Sequence, residues 1–305
     1  MRYRIDLSYD GAPFCGWQIQ PSDPSVQEEL EKALSTLLRS SVGVVGAGRT
    51  DTGVSATRYV AHFDFDGSVP EGVAKDGAVD CKQLAYKLNA ILPKAISIQG
   101  IAPAADDFHA RFDAVCRQYQ YYIHRHKDPF LEGRSFYYGY PDVDFEAMNK
   151  AAELLLGRHD FSCFEKSGGD NKTSVCTVYK AIWEPYTPEL SSLKNAACPE
   201  PAPAAFSPSC FAAGAGPGRA ADIGSGFIYW RFTIEADRFL RNMVRAIVGT
   251  LLEVGRSRRS KADFASLILD APASPGTPQA EKPSLRSNAG ESVPGHALFL
   301  TDIRY

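Results

Sequence analysis

Hydrophobic and polar positions alternate with a period of two over Tyr3, Ile5, Leu7 and Tyr9, the pattern of a strand buried on one face. Ser25-Val-Gln-Glu28 reads as a capping box, and behind it Val26, Leu30, Ala33, Leu34, Leu37 and Leu38 recur at helical spacing. A short strand over Val42–Val45 leads into a glycine-rich turn from Gly46 to Gly53, and alternation resumes from Tyr59 to Phe65. Asp80 is placed to cap a helix carrying Leu84, Leu88 and Ile91, which Pro93 closes, and a strand over Ala95–Ile101 follows. This stretch therefore spells β-α-β-β-α-β, a ferredoxin-like order.

The rest of the chain continues in the same style with longer connections. Arg117–Arg125 predicts an aromatic-rich strand, Asp144–Leu156 an amphipathic helix stopped by Gly157, and Ser174–Glu184 and Phe227–Ala236 two more strands. Arg238–Val254 predicts a helix with Phe239, Met243, Ala246, Ile247, Thr250 and Leu251 on one face, ended by Gly255. A short helix over Lys261–Leu269 and a closing strand over Leu298–Tyr305 complete the pattern. The expected class is α+β: two ferredoxin-like, RRM-like halves with antiparallel sheets forming a central sheet, helices on one side, and an active cleft between the halves. The expected domains are 1–103, carrying the glycine-rich loop, and 104–305. Two segments rich in Ala, Pro, Ser and Gly, Thr187–Gly226 and roughly 271–283, are read as mobile insertions.

Composition adds limits. The 305 residues are 44% hydrophobic and 23% charged, which suits about two globular domains and excludes a disordered chain. Seven cysteines, with no pair at C-x-x-C spacing, argue against a disulfide framework or zinc ribbon and fit a reducing cytoplasm. The opening residues read directly as a strand rather than a signal core, and no stretch is long and apolar enough for a membrane span. Net charge is −3, yet eight basic residues face three acids between Arg231 and Lys261. That asymmetry suits either a solvated helix face or a nucleic-acid track.

Gly46-Ala-Gly-Arg-Thr-Asp-Thr-Gly-Val-Ser-Ala56 is the most informative segment. It is not a dinucleotide fingerprint: position 51 is Asp where a third glycine is needed, and a strand is expected where a helix should receive the pyrophosphate. What it offers is a guanidinium and a carboxylate two residues apart, Arg49 and Asp51, on a permissive loop. Arg49 can hold Asp51 ionised or neutralise a phosphate beside it. Taken alone, a turn in which Asp51 bonds its own backbone is the commoner arrangement.

Tyr9-Asp-Gly11, Gly16-Trp-Gln-Ile-Gln20, Val26-Gln27, Gly48-Arg-Thr-Asp-Thr-Gly-Val-Ser-Ala56, Asn89-Ala-Ile-Leu-Pro93 and Phe108-His-Ala-Arg-Phe112 occur in series. Arg117-Gln-Tyr-Gln-Tyr121, Gly157-Arg-His-Asp-Phe161, the Phe239–Gly249 stretch and Ala297-Leu-Phe-Leu300 follow. Across nearly the whole chain outside the two insertions, this ordered set resembles the tRNA pseudouridine synthase A family. The resemblance implies isomerisation of uridine to pseudouridine at tRNA positions 38 to 40, in the anticodon stem-loop. It also implies no metal or organic cofactor and a cytoplasmic homodimer with tRNA lying across both subunits. Asp51 matches the family's catalytic aspartate, which attacks the target nucleotide or abstracts a proton from its sugar; both routes stay open.

By the same resemblance Tyr119 stacks on the target uracil, Arg245 pairs with the catalytic aspartate, Arg49 takes part in flipping the nucleotide, and Leu298 lies near the base. An aromatic face suits a base that is held yet free to turn. Arg245, alone on an otherwise apolar helix face, needs a buried partner or a route to solvent, and Asp51 is the expected partner. Tyr119 is equally readable as a core strand residue, and Leu298 as ordinary packing. Arg58, Arg238 and Arg241 are read as further RNA-facing charges. The family usually carries Gly-Leu where this chain has Ala297-Leu298, which questions a close backbone approach at that point.

Other features point elsewhere only weakly. His124 and His126 are expected on one strand face near Asp128, read as a polar RNA-facing surface rather than a zinc site. Asp10 is a conceivable second acid for glycosidic cleavage, though Asp10-Gly11 reads more simply as a turn. The alternative to an isomerase is a non-catalytic RNA-binding module or chaperone, which would keep the basic and aromatic surface without needing Asp51.

Overall fold

The computed structural model describes residues 1–166, 168, 173–188, 228–271 and 285–305. Apart from Thr187, Pro188 and Ala271, the two segments read as insertions lie outside the described residues.

β1 (Arg2–Tyr9) buries Tyr3, Ile5, Leu7 and Tyr9 and leaves the alternate positions half-buried, as its period demands. α1 (Val26–Leu38) starts where the Ser25 side chain accepts the Glu28 N–H, and it buries Val26, Leu30, Leu34 and Leu38. β2 (Val44–Gly46) and β3 (Ser55–Asp64) flank the glycine-rich loop. A β4–β5 hairpin (Ala74–Lys75, Ala78–Val79) turns on Asp76 and Gly77, both at positive φ, and precedes α2 (Cys81–Ile91) and β6 (Ile96–Ala104). Asp80 caps α2 by accepting the Lys82 and Gln83 N–H groups.

β7 (Cys116–His124), β8 (Phe136–Tyr137), α3 (Phe145–Ala152), β9 (Gly157–Asp160), β10 (Val175–Pro185) and β11 (Tyr229–Ala236) come next. α4 (Met243–Gly255), α5 (Lys261–Ala265), β12 (Leu269–Asp270) and β13 (Leu298–Arg304) complete the described elements.

One large, mostly antiparallel sheet runs β12-β9-β10-β11-β7-β13-β3-β1-β6, with β2 on β3 and β8 on β7, as suits an α+β chain. Within it, β6-β1-β3-β2 and β13-β7-β11-β10 are antiparallel runs visited by the chain in the same internal order. The runs meet where β13 lies parallel to β3, through Phe299 opposite Ser55 and Leu300 opposite Ala56. The last strand is thus zipped between Tyr119 of β7 and the residues that follow the glycine-rich loop.

Three expectations need correction. The helix read as Arg238–Val254 starts only at Met243, because Asn242 stands in the left-handed region (φ 64°) and breaks the helical path. Ahead of it the Asp237 carboxylate accepts the Thr177 and Arg238 N–H groups and turns the chain, so Arg238 and Arg241 stand on a connection and not on a helix. The helix read as Lys261–Leu269 stops at Ala265, and Leu269 instead pairs with Asp160 in the sheet. His124 is buried, its Nδ1 3.0 Å from Ser135 Oγ, while His126 is exposed; β7 ends between them, and the shared polar face is not formed.

Candidate active site

Local packing forces the glycine-rich loop into one shape. Trp17 stacks on Tyr59 beneath it (centroids 4.2 Å apart), and Tyr9 packs edge-on to Tyr59. The Tyr9 hydroxyl lies 2.8 Å from Thr50 Oγ1, Tyr59 OH donates to the Gly48 carbonyl, and the Trp17 N–H donates to the Thr50 carbonyl. Val54 N–H bonds back to the Asp51 carbonyl, closing the turn. Gly16 permits this approach: its φ is +97°, and a Cβ there would collide with the Thr50 carbonyl. The Gly16-Trp17 motif is therefore the floor of the loop that carries Asp51.

From the other side comes α4. It is largely apolar, with Met243, Ala246, Ile247, Val248 and Leu251 buried, and its two charged residues are Arg245 in the first turn and Glu253 in the last. Arg245 Nε donates to the Val293 carbonyl at 2.7 Å, and the same guanidinium stands 3.5 Å from the Asp51 carboxylate. The pair is neither sealed nor open, at 28% exposure for Asp51 and 22% for Arg245. A polar substrate can reach the carboxylate while the guanidinium stays partly shielded from water, where its field is stronger.

The chain from Ala289 to Ala297 straps this arrangement together. Gly290 N–H donates to Thr250 Oγ1, Asn242 Nδ2 to Ser292 Oγ, and Val293 N–H to the Arg245 carbonyl. Tyr121 OH reaches the Pro294 carbonyl, and Gly295 then lies against the Thr52 carbonyl, leaving no room for a Cβ. The close backbone contact questioned at Ala297 is thus made two residues earlier, and Ala297 itself is buried. Gly295→Ala is expected to push the strap off the loop, lowering turnover by about tenfold and the melting temperature by several degrees. Natural turnover and melting in that variant would show that the contact is dispensable.

Tyr119 forms the third side. On β7 it sits between Ile234 and Leu300, and its ring meets Phe239 edge-on (5.1 Å, 87°). Burial raises the pKa of its phenol, Arg117 offsets part of the rise, and the Asp51 carboxylate adds to it; the group is a neutral phenol whose environment includes Asp51. Tyr121 shares its face, while Gln120 and Tyr122 point to the other, as alternation requires.

Asp51, Arg245 and Tyr119 are thus brought together. Arg49 is exposed on the same loop, and the Arg245 guanidinium pairs with Asp51 from α4. Leu298 is buried at the start of β13, opposite Tyr121. Arg58 is paired with Asp302 at 2.7 Å, and Arg238 and Arg241 lie on the connection before α4. Asp10 caps its own turn by accepting the Ala12 N–H and pairs with Arg134 at 3.2 Å. Sequence reasoning missed the Val293 and Gly295 strap and the Phe239 ring partner. The glycine at 295 was the available signal for the former. Among the described residues, no group of three or more His, Cys, Asp or Glu is placed to hold a metal ion, and no helix is long and apolar enough to cross a membrane.

A family model described as tRNA pseudouridine synthase matches residues 151–305. The chain is 41% identical over 305 residues to the tRNA pseudouridine synthase A of Parabacteroides distasonis, covering all of this chain and 96% of that protein. It is 40% identical over 304 residues to that of Porphyromonas gingivalis (all of this chain, 97% of the relative) and 32% identical over 309 residues to that of Bacillus subtilis (all and 99%). Matched end to end at these identities, the chain belongs to the tRNA pseudouridine synthase family.

Proposed function

We propose that the protein isomerises uridine to pseudouridine in the anticodon stem-loop of tRNA, at positions 38, 39 and 40, with Asp51 as the reacting carboxylate. The observation that carries this reading is the half-exposed Asp51–Arg245 pair, whose carboxylate is felt electrostatically at the Tyr119 phenol. The reaction breaks the bond from uracil N1 to C1′, turns the base, and joins C5 to C1′, with the C5 proton lost and a proton taken up at N1. A carboxylate can open it by attacking the nucleotide or by taking a proton from the sugar. Arg245 supplies an opposite charge beside the carboxylate at the place where a nucleotide would displace water from it. Tyr119, braced by Phe239, offers a flat surface on which a detached base is held by stacking and can rotate. Leu298 belongs to the apolar wall behind it, and Arg49, exposed at the loop's rim, is positioned for a phosphate or a displaced base.

Residues 1–103 and 104–305 are taken as two units that contribute Asp51 and Arg245 to opposite sides of one cleft. Arg238 and Arg241 are taken as RNA contacts next to it, Arg58 as a more distant one. A cytoplasmic homodimer bound to tRNA rests on the family resemblance.

The test is to incubate the protein with unmodified tRNA and map pseudouridine by position. Product at 38, 39 or 40 is the expected result. Product elsewhere refutes the positional assignment, and bound but unmodified tRNA favours the binding-module alternative.

A further inference from the structure

Arg117 makes four hydrogen bonds beside the site, and nothing above gives it a part in the chemistry. It lies on β7 two residues before Tyr119, half-buried, with its guanidinium given wholly to backbone carbonyls. Nη1 donates to Ala114 (2.9 Å) and Asp237 (2.7 Å), and Nη2 to Ala47 (3.0 Å) and Arg111 (2.5 Å). Those acceptors belong to three separate stretches. Ala47 opens the loop that carries Asp51. Arg111 and Ala114 lie on the connection between β6 and β7. Asp237 begins the turn that delivers Phe239 onto the Tyr119 ring.

A surface arginine ordinarily pairs with a carboxylate. Here four carbonyl dipoles share the charge, and burial lowers the guanidinium's pKa without a carboxylate to offset it. The planar fork carries five N–H donors in fixed directions, so bonds to three stretches fix their mutual positions as well as their presence. The Tyr119 strand and the Phe239 turn are already joined through the β7–β11 pairing and the ring contact, and the Arg117 bond to Ala47 ties that corner directly to the Asp51 loop. Resting on the reading of Asp51 as the reacting group, we propose that Arg117 is the positioning residue that sets the separation between the Asp51 loop and the Tyr119–Phe239 corner.

The experiment uses the full chain and unmodified tRNA. Arg117→Ala is expected to lower kcat about 100-fold with KM within about threefold, since displacing a reacting group by about 1 Å costs that much. Arg117→Lys, a point charge that cannot bridge all four carbonyls, falls between the two. Millimolar guanidinium chloride should restore at least about a tenth of the lost turnover to Arg117→Ala by refilling the fork's place, whereas sodium chloride or urea at equal concentration should not. A residue that merely stabilised the fold would lower the melting temperature, and guanidinium would rescue nothing. Natural kcat in folded Arg117→Ala, or a loss that guanidinium leaves unchanged, overturns the proposal. If Arg117→Ala does not fold, Arg117→Lys decides: a kcat within about twofold of natural overturns it, and a selective kcat loss supports it. Asp51→Asn in the same assay separates the two claims. Its retained turnover would remove the carboxylate reading, whereas its inactivity beside a fully active Arg117→Ala would remove only the claim for Arg117.

Discussion

Asp51→Asn and Asp51→Ala are expected to lose turnover by roughly 10⁴-fold, the scale seen when an essential catalytic carboxylate is removed, while tRNA binding stays within about threefold. The separation follows from where Asp51 sits. Its loop is held by backbone bonds to Thr50, Gly48 and Ala47, made by Trp17, Tyr59 and Arg117, and none of them passes through the Asp51 side chain. Asparagine fills the same volume and leaves that scaffold alone, but it is neither an anion nor a base, so either proposed opening step fails. RNA affinity, in contrast, is dominated by phosphate contacts, and removing an anion does not weaken those. The measurement is single-turnover pseudouridine formation beside a filter-binding titration. A variant that still makes pseudouridine at near-natural rate would eliminate Asp51 as the reacting group; one that no longer binds would mean the carboxylate serves affinity.

This result also divides the isomerase from the RNA-binding alternative. A binding module would tolerate Asp51→Asn without measurable consequence, because nothing about recognising a stem-loop requires a carboxylate next to Tyr119.

The strands and helices with strong periodicity were legible in the sequence because their pattern reflects one neighbour, the core. β1, with four buried residues at period two, and α1 and α2, with side-chain caps at Ser25 and Asp80, needed no tertiary information. The start of α4 was not legible: the apolar spacing runs back through Phe239, and the break depends on Asn242 adopting φ 64° and on Asp237 bonding a distant strand. β9 and β12 escaped because each is defined by a partner far along the chain and has little periodicity of its own. The β4–β5 hairpin was missed despite its Asp76-Gly77 turn, because two-residue strands show no alternation to read.

At the site the division is similar. Asp51 stood out by its glycine setting, and a partner for Arg245 could be demanded on electrostatic grounds alone. How Arg245 reaches Asp51 from the far end of the chain could not be read: the pair depends on the sheet order that brings β13 between β3 and β7. The contribution of Ala289–Ala297 is wholly tertiary. That stretch carries no periodic signal, yet it bonds α4 and β7 and packs closely against the loop.

Arg245→Met is expected to reduce turnover by roughly 10³-fold while the protein remains folded, because the two consequences of losing the guanidinium have different sizes. For stability, Asp51 is 28% exposed and water takes over part of the vacated role; a pair of this exposure is worth about 1 kcal/mol or less. Methionine replaces the aliphatic stem against α4's apolar neighbours, so packing is largely kept. Losing the Nε bond leaves the Val293 carbonyl without that donor, adding about 1 kcal/mol. For catalysis the loss is larger, since a docked nucleotide excludes the water that screens Asp51 in the free protein, and the opposing charge then acts in a poorly screened site. Arg245→Lys keeps the charge but reaches only one of the two acceptors, Val293 or Asp51, and should lie between natural protein and Arg245→Met. Single-turnover rates and melting curves on both variants check the argument. A folded Arg245→Met with natural turnover would show that the 3.5 Å pair is structural, and a variant that melts far earlier than Arg245→Lys would move its role from the reaction to the strap.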